Sequence, residues 1–242
     1  MKTYPKWLSA AVLSAMLASP AAALETKAKN VILMDYDTGE YLFAENAFVP
    51  VAPASMSKLM TVYVLFSKLK DGTLSLEDVF SVSENAWRTG GAASGSSTMF
   101  LPIGSKVTVE NLIKGIIIQS GNDACIVAAE NIAGSEEDFA ELMNAKAKEL
   151  GLKNSHFVNS TGLPHPDHRM SAEDLARLAQ ALIRDFPEYY SVFSQKSFTY
   201  NNILQGNRNP LLYSMPDADG LKTGHTAEAG FCLTASVKRG DR

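Results

Sequence analysis

The sequence predicts an α/β fold in which an antiparallel sheet is flanked by helices and joined to a helical subdomain. Two observations carry that reading. Strand patterns stand at both ends of the chain, at 31–44 and again at 221–238, and apolar residues at helical spacing fill the stretch between them. A sheet fed from both ends brings the two ends of the folded part together, and no internal repeat competes with this plan.

The first residues read as a secretory signal, expected over 1–23. Lys2 and Lys6 supply the positive start, an apolar run covers 7–18, and Ala21-Ala22-Ala23 offers a small-residue cleavage site. The run is too short for a membrane helix, and Pro20 follows it closely. The expected destination is the periplasm or cell envelope. Residues 24–242 then form the folded part, long enough for one large domain or two intimately packed subdomains.

The elements follow in order. Residues 31–36 and 40–44 flank Asp37-Thr38-Gly39 as a hairpin. Met56, Leu59, Met60, Tyr63 and Val64 recur at helical spacing, which sets Ser55 at the start of a buried helix. Residues 89–98 are a loop of small residues, either plainly flexible or bordering a site. Helices over 108–118 and 123–133 bracket a turn at Ser120-Gly121-Asn122. Ser135 with Asp138, and Ser171 with Asp174, look like capping boxes opening two more helices, ending at Gly151 and before Pro187. Strands are expected at 221–226 and 230–238.

Composition narrows the function. The net charge of −4 becomes about −6 once Lys2 and Lys6 leave with the signal, and an acidic chain without a basic run argues against nucleic acid. Four histidines show no metal-ligand spacing, so neither metal nor other cofactor is expected. Cys125 and Cys232, among apolar neighbours, read as buried free thiols, although an oxidising compartment would let them pair.

Three short motifs in one order say most about chemistry: Ser55-Met56-Ser57-Lys58, Ser120-Gly121-Asn122 and Lys222-Thr223-Gly224. Each alone is weak. Ser67-Lys68-Leu69-Lys70 repeats the first pattern as the end of the same helix, and an edge-strand lysine also discourages aggregation. Together they make a kit for acyl transfer at a peptide that ends in a carboxylate. A serine at a helix start has unpaired backbone N–H groups nearby for an oxyanion. Lys58, at i+3, lies one turn along on the same face. To act as a base it must be neutral, so its pKa must fall from roughly 10, through apolar packing and the charge of Lys222. Ser120 could relay a proton to the leaving amine, and the Asn122 amide could hold the substrate backbone. Lys222 and Thr223 offer a positive charge and a hydroxyl to a carboxylate, and Gly224 lets the substrate lie beside the strand.

With these motifs the chain resembles the D-alanyl-D-alanine carboxypeptidases, low-molecular-mass penicillin-binding proteins with a penicillin-binding/β-lactamase-like fold. The likeness runs over 29–242 and includes Pro53-Ala54-Ser55, Asp123-Ala124-Cys125, Asn159-Ser160-Thr161-Gly162-Leu163 and Asp219-Gly220-Leu221 through to His225-Thr226. The resemblance implies Ser55 as acylated nucleophile, Lys58 as its base, and Ser120 and Asn122 as the second catalytic element. Lys222, Thr223 and Arg208 would bind the carboxylate side, with the N–H groups of Ser55 and His225 as oxyanion hole. The implied reaction removes the last D-alanine from a peptidoglycan pentapeptide, in cell-wall remodelling and the control of cell shape, and β-lactams would acylate the same serine.

A class A β-lactamase is the nearest rival. The string closest to its Glu-x-x-Leu-Asn loop is Glu149-Leu150-Gly151-Leu152-Lys153, with lysine where asparagine should stand, so slow penicillin release is expected. The ending departs from the resembled family, in which a further strand returns to the middle of the sheet and a helix covers it. A β-rich domain and an amphipathic C-terminal anchor, the only expected route to the membrane, are likewise not seen in this sequence. Unpaired backbone at about 1–3 kcal/mol per buried group would weigh against a total stability of roughly 5–15 kcal/mol. The second expectation is therefore an incomplete fragment that at most binds cell-wall peptide without turnover.

Overall fold

The computed structural model describes residues 26–240, so the expected signal over 1–23 lies outside the described residues. The chain enters through β1 (Val31–Met34) and β2 (Tyr41–Glu45), an antiparallel hairpin whose turn is held by Asp35, which accepts from the backbone and hydroxyl of Thr38 at 2.9 Å each. A 3-10 turn at Ala54–Ser57 then leads into α1 (Lys58–Lys70). Leu59, Met60, Val62, Val64, Leu65 and Phe66 of α1 are all buried, so this helix has almost no wet face and runs through the interior.

Two short strands, β3 (Val79–Ser81) and β4 (Lys106–Thr108), pair before α2 (Val109–Lys114), whose N-terminus is capped by the Thr108 hydroxyl. The sequence predicted a helix to residue 118. Regular winding instead stops at Lys114 and widens into a π-type turn, Gly115–Gln119, closed by the Gly121 N–H reaching back to the Gly115 carbonyl at 2.9 Å. The expected loop at 89–98 is also partly wound, with a π-type turn at Ala86–Gly90 and a 3-10 turn at Ala92–Ser94.

The buried helix α3 (Asn122–Ala133) stops at Gly134, in the left-handed conformation. Helices α4 (Glu136–Glu149) and α5 (Ala172–Asp185) open as predicted, Ser135 accepting from the Asp138 N–H at 3.0 Å and Ser171 from the Asp174 N–H at 3.1 Å. Around the short α6 (Pro187–Tyr190), Phe186, Tyr189 and Phe193 pack on the Phe66 ring with centroids 5.2–6.4 Å from it and join the tail to the core. The hairpin of β5 (Ser197–Tyr200) and β6 (Ile203–Gly206), then α7 (Leu211–Ser214), lead to the long ribbon of β7 (Ala218–Thr226) and β8 (Gly230–Val237).

The single sheet expected from the sequence is replaced, among the described residues, by four two-stranded antiparallel ribbons. Both β1 and β8 pack on α5, so the two ends do come together, but their edges do not pair with one another. Instead they border a groove of about 2100 Å³ that continues to the candidate site. The cysteines are both free; Cys125 is fully buried as expected, whereas Cys232 is only half-buried and lines this groove.

Candidate active site

Ser55 projects from the 3-10 turn ahead of α1 and not from the first turn of the α-helix itself, with Ala54 held in the left-handed region at φ 49°. Gly162, at φ 81°, packs against the Ala54 carbonyl and the Ser57 hydroxyl, a place where a β-carbon has no room.

Lys58, the first residue of α1, is completely buried. Its Nζ donates to Ser55 Oγ at 2.9 Å and to the Thr161 carbonyl at 2.5 Å. The segment carrying that carbonyl is pinned from three sides. Asn159 Oδ1 accepts from the N–H groups of Thr161 and Gly162, Thr61 donates to the Ser160 carbonyl at 2.7 Å, and Glu136 accepts from the Ser160 hydroxyl at 2.6 Å. Burial pushes the Lys58 pKa from 10.5 down to about 8; the Arg208 cation adds to this, while Glu136 and Asp123 oppose it.

Lys222 is also buried, its Nζ donating to the Thr223 carbonyl at 3.0 Å. Its pKa is pushed well below the ordinary value by burial, then by the charges of Lys58 and Arg208. Arg208 is thus the neighbouring cation that lowers Lys58, and Lys58 and Arg208 together lower Lys222. Thr223 is half-buried, and β7 runs so close to the 3-10 turn that a β-carbon on Gly224 would lie 3.1 Å from the Ser55 nitrogen. The exposed His225 ring stacks on Phe231, centroids 4.3 Å apart.

Ser120 ends the π-type turn with φ 64°, a left-handed conformation that L-residues rarely adopt, and its buried hydroxyl has no hydrogen-bond partner. Asn122 is buried beside it; its Nδ2 donates to Ser96 Oγ at 2.9 Å, and its Oδ1 is likewise unpartnered. Arg208 donates to Ser97 Oγ at 2.6 Å. The structure thus brings every residue of the three motifs to one groove or directly behind its wall, with the 96–97 loop as a rim. Glu149, by contrast, ends α4, pairs with Lys146 and does not line the groove.

Sequence reasoning missed three supports. Thr161 acts through its carbonyl, which no side-chain pattern reveals. Asp123 accepts from the Thr98 hydroxyl at 2.6 Å and from the N–H groups of Met99 and Leu101, tying the rim loop to α3. An ion pair between Arg169 and Glu228 joins the turn of the β7–β8 ribbon to the segment before α5. Among the described residues no cluster of three or more His, Cys, Asp or Glu side chains is gathered for a metal ion.

Comparison with known proteins places the fold. The family model described as D-alanyl-D-alanine carboxypeptidase matches residues 16–242. The chain is 50% identical over 212 residues to the D-alanyl-D-alanine carboxypeptidase DacC of Escherichia coli K12, covering 87% of this chain and 53% of the relative. Penicillin-binding protein 5 of Haemophilus influenzae superposes with a TM-score of 0.87 at 41% identity, covering 90% of this chain and 63% of the other. Penicillin-binding protein D2 of Listeria monocytogenes, solved in its ampicillin-bound form, gives 0.76 at 28% identity over 90% and 86% of the two chains. The fold is therefore the penicillin-binding protein fold, and the chain spans about half the length of the curated relatives it matches.

Proposed function

Since the chain belongs to the D-alanyl-D-alanine carboxypeptidase family, we propose that it is a serine-type D-Ala-D-Ala carboxypeptidase acting on peptidoglycan pentapeptide through an acyl-enzyme on Ser55. The observation that carries the reading is the buried Lys58 ammonium 2.9 Å from Ser55 Oγ, with its pKa lowered to about 8. A lysine so placed is neutral often enough near pH 7 to take the serine proton as Oγ attacks the carbonyl of the penultimate D-alanine. The N–H groups of Ser55 and His225 receive the developing oxyanion. Ser120 passes a proton to the departing amine, and Asn122 holds the peptide backbone. Arg208, Thr223 and Lys222 face the terminal carboxylate. Water then cleaves the ester and restores Ser55.

Penicillins acylate the same serine in this reading and leave slowly, since Glu149 stands away from the groove. The protein works outside the cytoplasm, in the periplasm or cell envelope, reached by the signal over 1–23. Among the described residues no helix is long and apolar enough to cross a membrane.

One observation favours a second reading, peptide binding without turnover: β1 and β8 border the groove with edges that are unpaired among the described residues. Intact mass after brief penicillin exposure, run beside Ser55→Ala, separates the two. A one-penicillin adduct absent from the variant, together with D-alanine release from pentapeptide, supports the carboxypeptidase. An adduct without release supports the binder, and no adduct from a well-folded chain overturns the assignment of the nucleophile.

A further inference from the structure

Arg169 and Glu228 lie 59 residues apart in sequence and meet at 2.5 Å, guanidinium to carboxylate. Arg169 is held by its backbone, which exchanges two hydrogen bonds with His156 at 2.8 and 3.0 Å. Glu228 sits in the turn between β7 and β8, fixed by the Ala229 N–H donating to Thr226 Oγ1 at 3.0 Å. Both side chains line the groove that holds Ser55, and neither is closed off, at 32% and 48% exposure.

Direction along β7 says what meets this pair. Lys222 and Thr223 precede Gly224, the residue packed against Ser55, and Arg208 adjoins Asn209, whose amide donates to the Gly220 carbonyl at 2.8 Å on that side. If the carboxylate end of a peptide lies there, the residues before the scissile bond run past His225 and Thr226 toward Glu228. An extended chain rises about 3.3 Å per residue, so the residue one before the acylating D-alanine lies beside His225 and Thr226. Glu228 follows Thr226 by two residues, a span of about 7 Å at that rise, which a side chain of four or more bonds would have to cross to meet the ion pair.

On the carboxypeptidase reading, we propose that Arg169 and Glu228 form a subsite for the side chain of the residue preceding the acylating D-alanine, selecting one that ends in both an ammonium and a carboxylate. The ligand ammonium pairs with Glu228 and its carboxylate with Arg169, turning one ion pair into a ring of four alternating charges. A half-exposed pair tolerates this exchange because little desolvation is at stake, and the gain is correspondingly modest.

The test uses three pentapeptides that differ only at the third residue: 2,6-diaminopimelyl, lysyl and Nε-acetyl-lysyl. Equilibrium binding is measured on Ser55→Ala and D-alanine release on the unaltered chain. The diaminopimelyl peptide should bind the Ser55→Ala chain about fivefold more tightly than the acetyl-lysyl peptide, the range of a surface ion pair. Adding Glu228→Gln, which keeps an acceptor for Arg169 and so preserves the strap, should abolish the preference for a free ammonium. Adding Arg169→Gln should erase the advantage of diaminopimelyl over lysyl. Equal affinity for all three peptides, no binding of any, or a preference unchanged by both variants overturns the subsite. A preference in binding with no D-alanine release from any peptide upholds the subsite and overturns the carboxypeptidase reading instead.

Discussion

Thr161 turns its carbonyl to within 2.5 Å of Lys58 Nζ and so fixes the orientation of that nitrogen. A neutral amine has two N–H bonds and one lone pair. With one N–H committed to Thr161, rotation about the last bond of the side chain is stopped, and the lone pair can face Ser55 Oγ at 2.9 Å. Two sequence-distant segments, the start of α1 and the 159–163 loop, must therefore be in register before the pair is poised.

A pH profile follows from the lowered Lys58 pKa of about 8. At pH 7 about a tenth of the lysine is neutral, against about one part in three thousand at the ordinary value. Acylation by penicillin, followed by stopped flow, should rise with pH through a midpoint near 8 and level off about one pH unit higher. Arg208→Gln removes a cation that lowers Lys58, so the midpoint should move upward and the rate at pH 7 should fall. A flat profile in the unaltered chain would count against Lys58 as the base.

Lys222 predicts the opposite trend for binding. Burial and neighbouring cations hold its pKa well below 10.5, and an arriving carboxylate raises it again. Binding a peptide carboxylate to Ser55→Ala should therefore take up protons, and affinity should weaken as pH rises. Calorimetry in buffers of different ionisation enthalpy reads the uptake directly; none at all would mean that Lys222 does not sense the carboxylate.

Gly224→Val tests the contact between β7 and Ser55. Its new β-carbon would begin 3.1 Å from the Ser55 nitrogen and 3.3 Å from that of Met56, so strand or turn must yield by a few tenths of an ångström. Displacing an attack geometry by that much should slow acylation at least about tenfold, a barrier increase of about 1.4 kcal/mol, while circular dichroism stays native.

Ser120→Gly should move stability and activity in opposite directions. Glycine relieves the left-handed backbone at φ 64° and removes a buried hydroxyl without a partner. A gain of about 1 kcal/mol, or about 2–4 °C in melting temperature, should accompany a loss of D-alanine release. Loss of both would show that the hydroxyl serves the fold.

Much of this was legible in the chain. The capping serines Ser135 and Ser171 sit where the pattern placed them, because a cap is a local hydrogen bond written in four adjacent residues. Each of the three motifs is legible for the same reason, being confined to one turn or strand edge, whereas their convergence depends on packing. The widening after Lys114 escaped notice because a π-type turn keeps helical apolar spacing. The β5–β6 hairpin carried an overlooked signal: Asn201-Asn202, both at positive φ, suits a tight two-residue turn. Contacts such as Asn122 with Ser96, or Arg169 with Glu228, depend on how distant segments pack, and no periodicity encodes them.

Cys125 gives the protein a clock of its own. Its thiol is fully buried on α3, near Lys58, and burial pushes its pKa up to about 12, so the reactive thiolate is scarce while the core is closed. Alkylation of this sulfur waits for the helix to part from its neighbours, and its rate counts those openings with no probe introduced. Half-buried Cys232 reacts on a faster schedule and serves as the internal reference. A ligand that settles in the groove would slow the first hand of the clock and leave the second running.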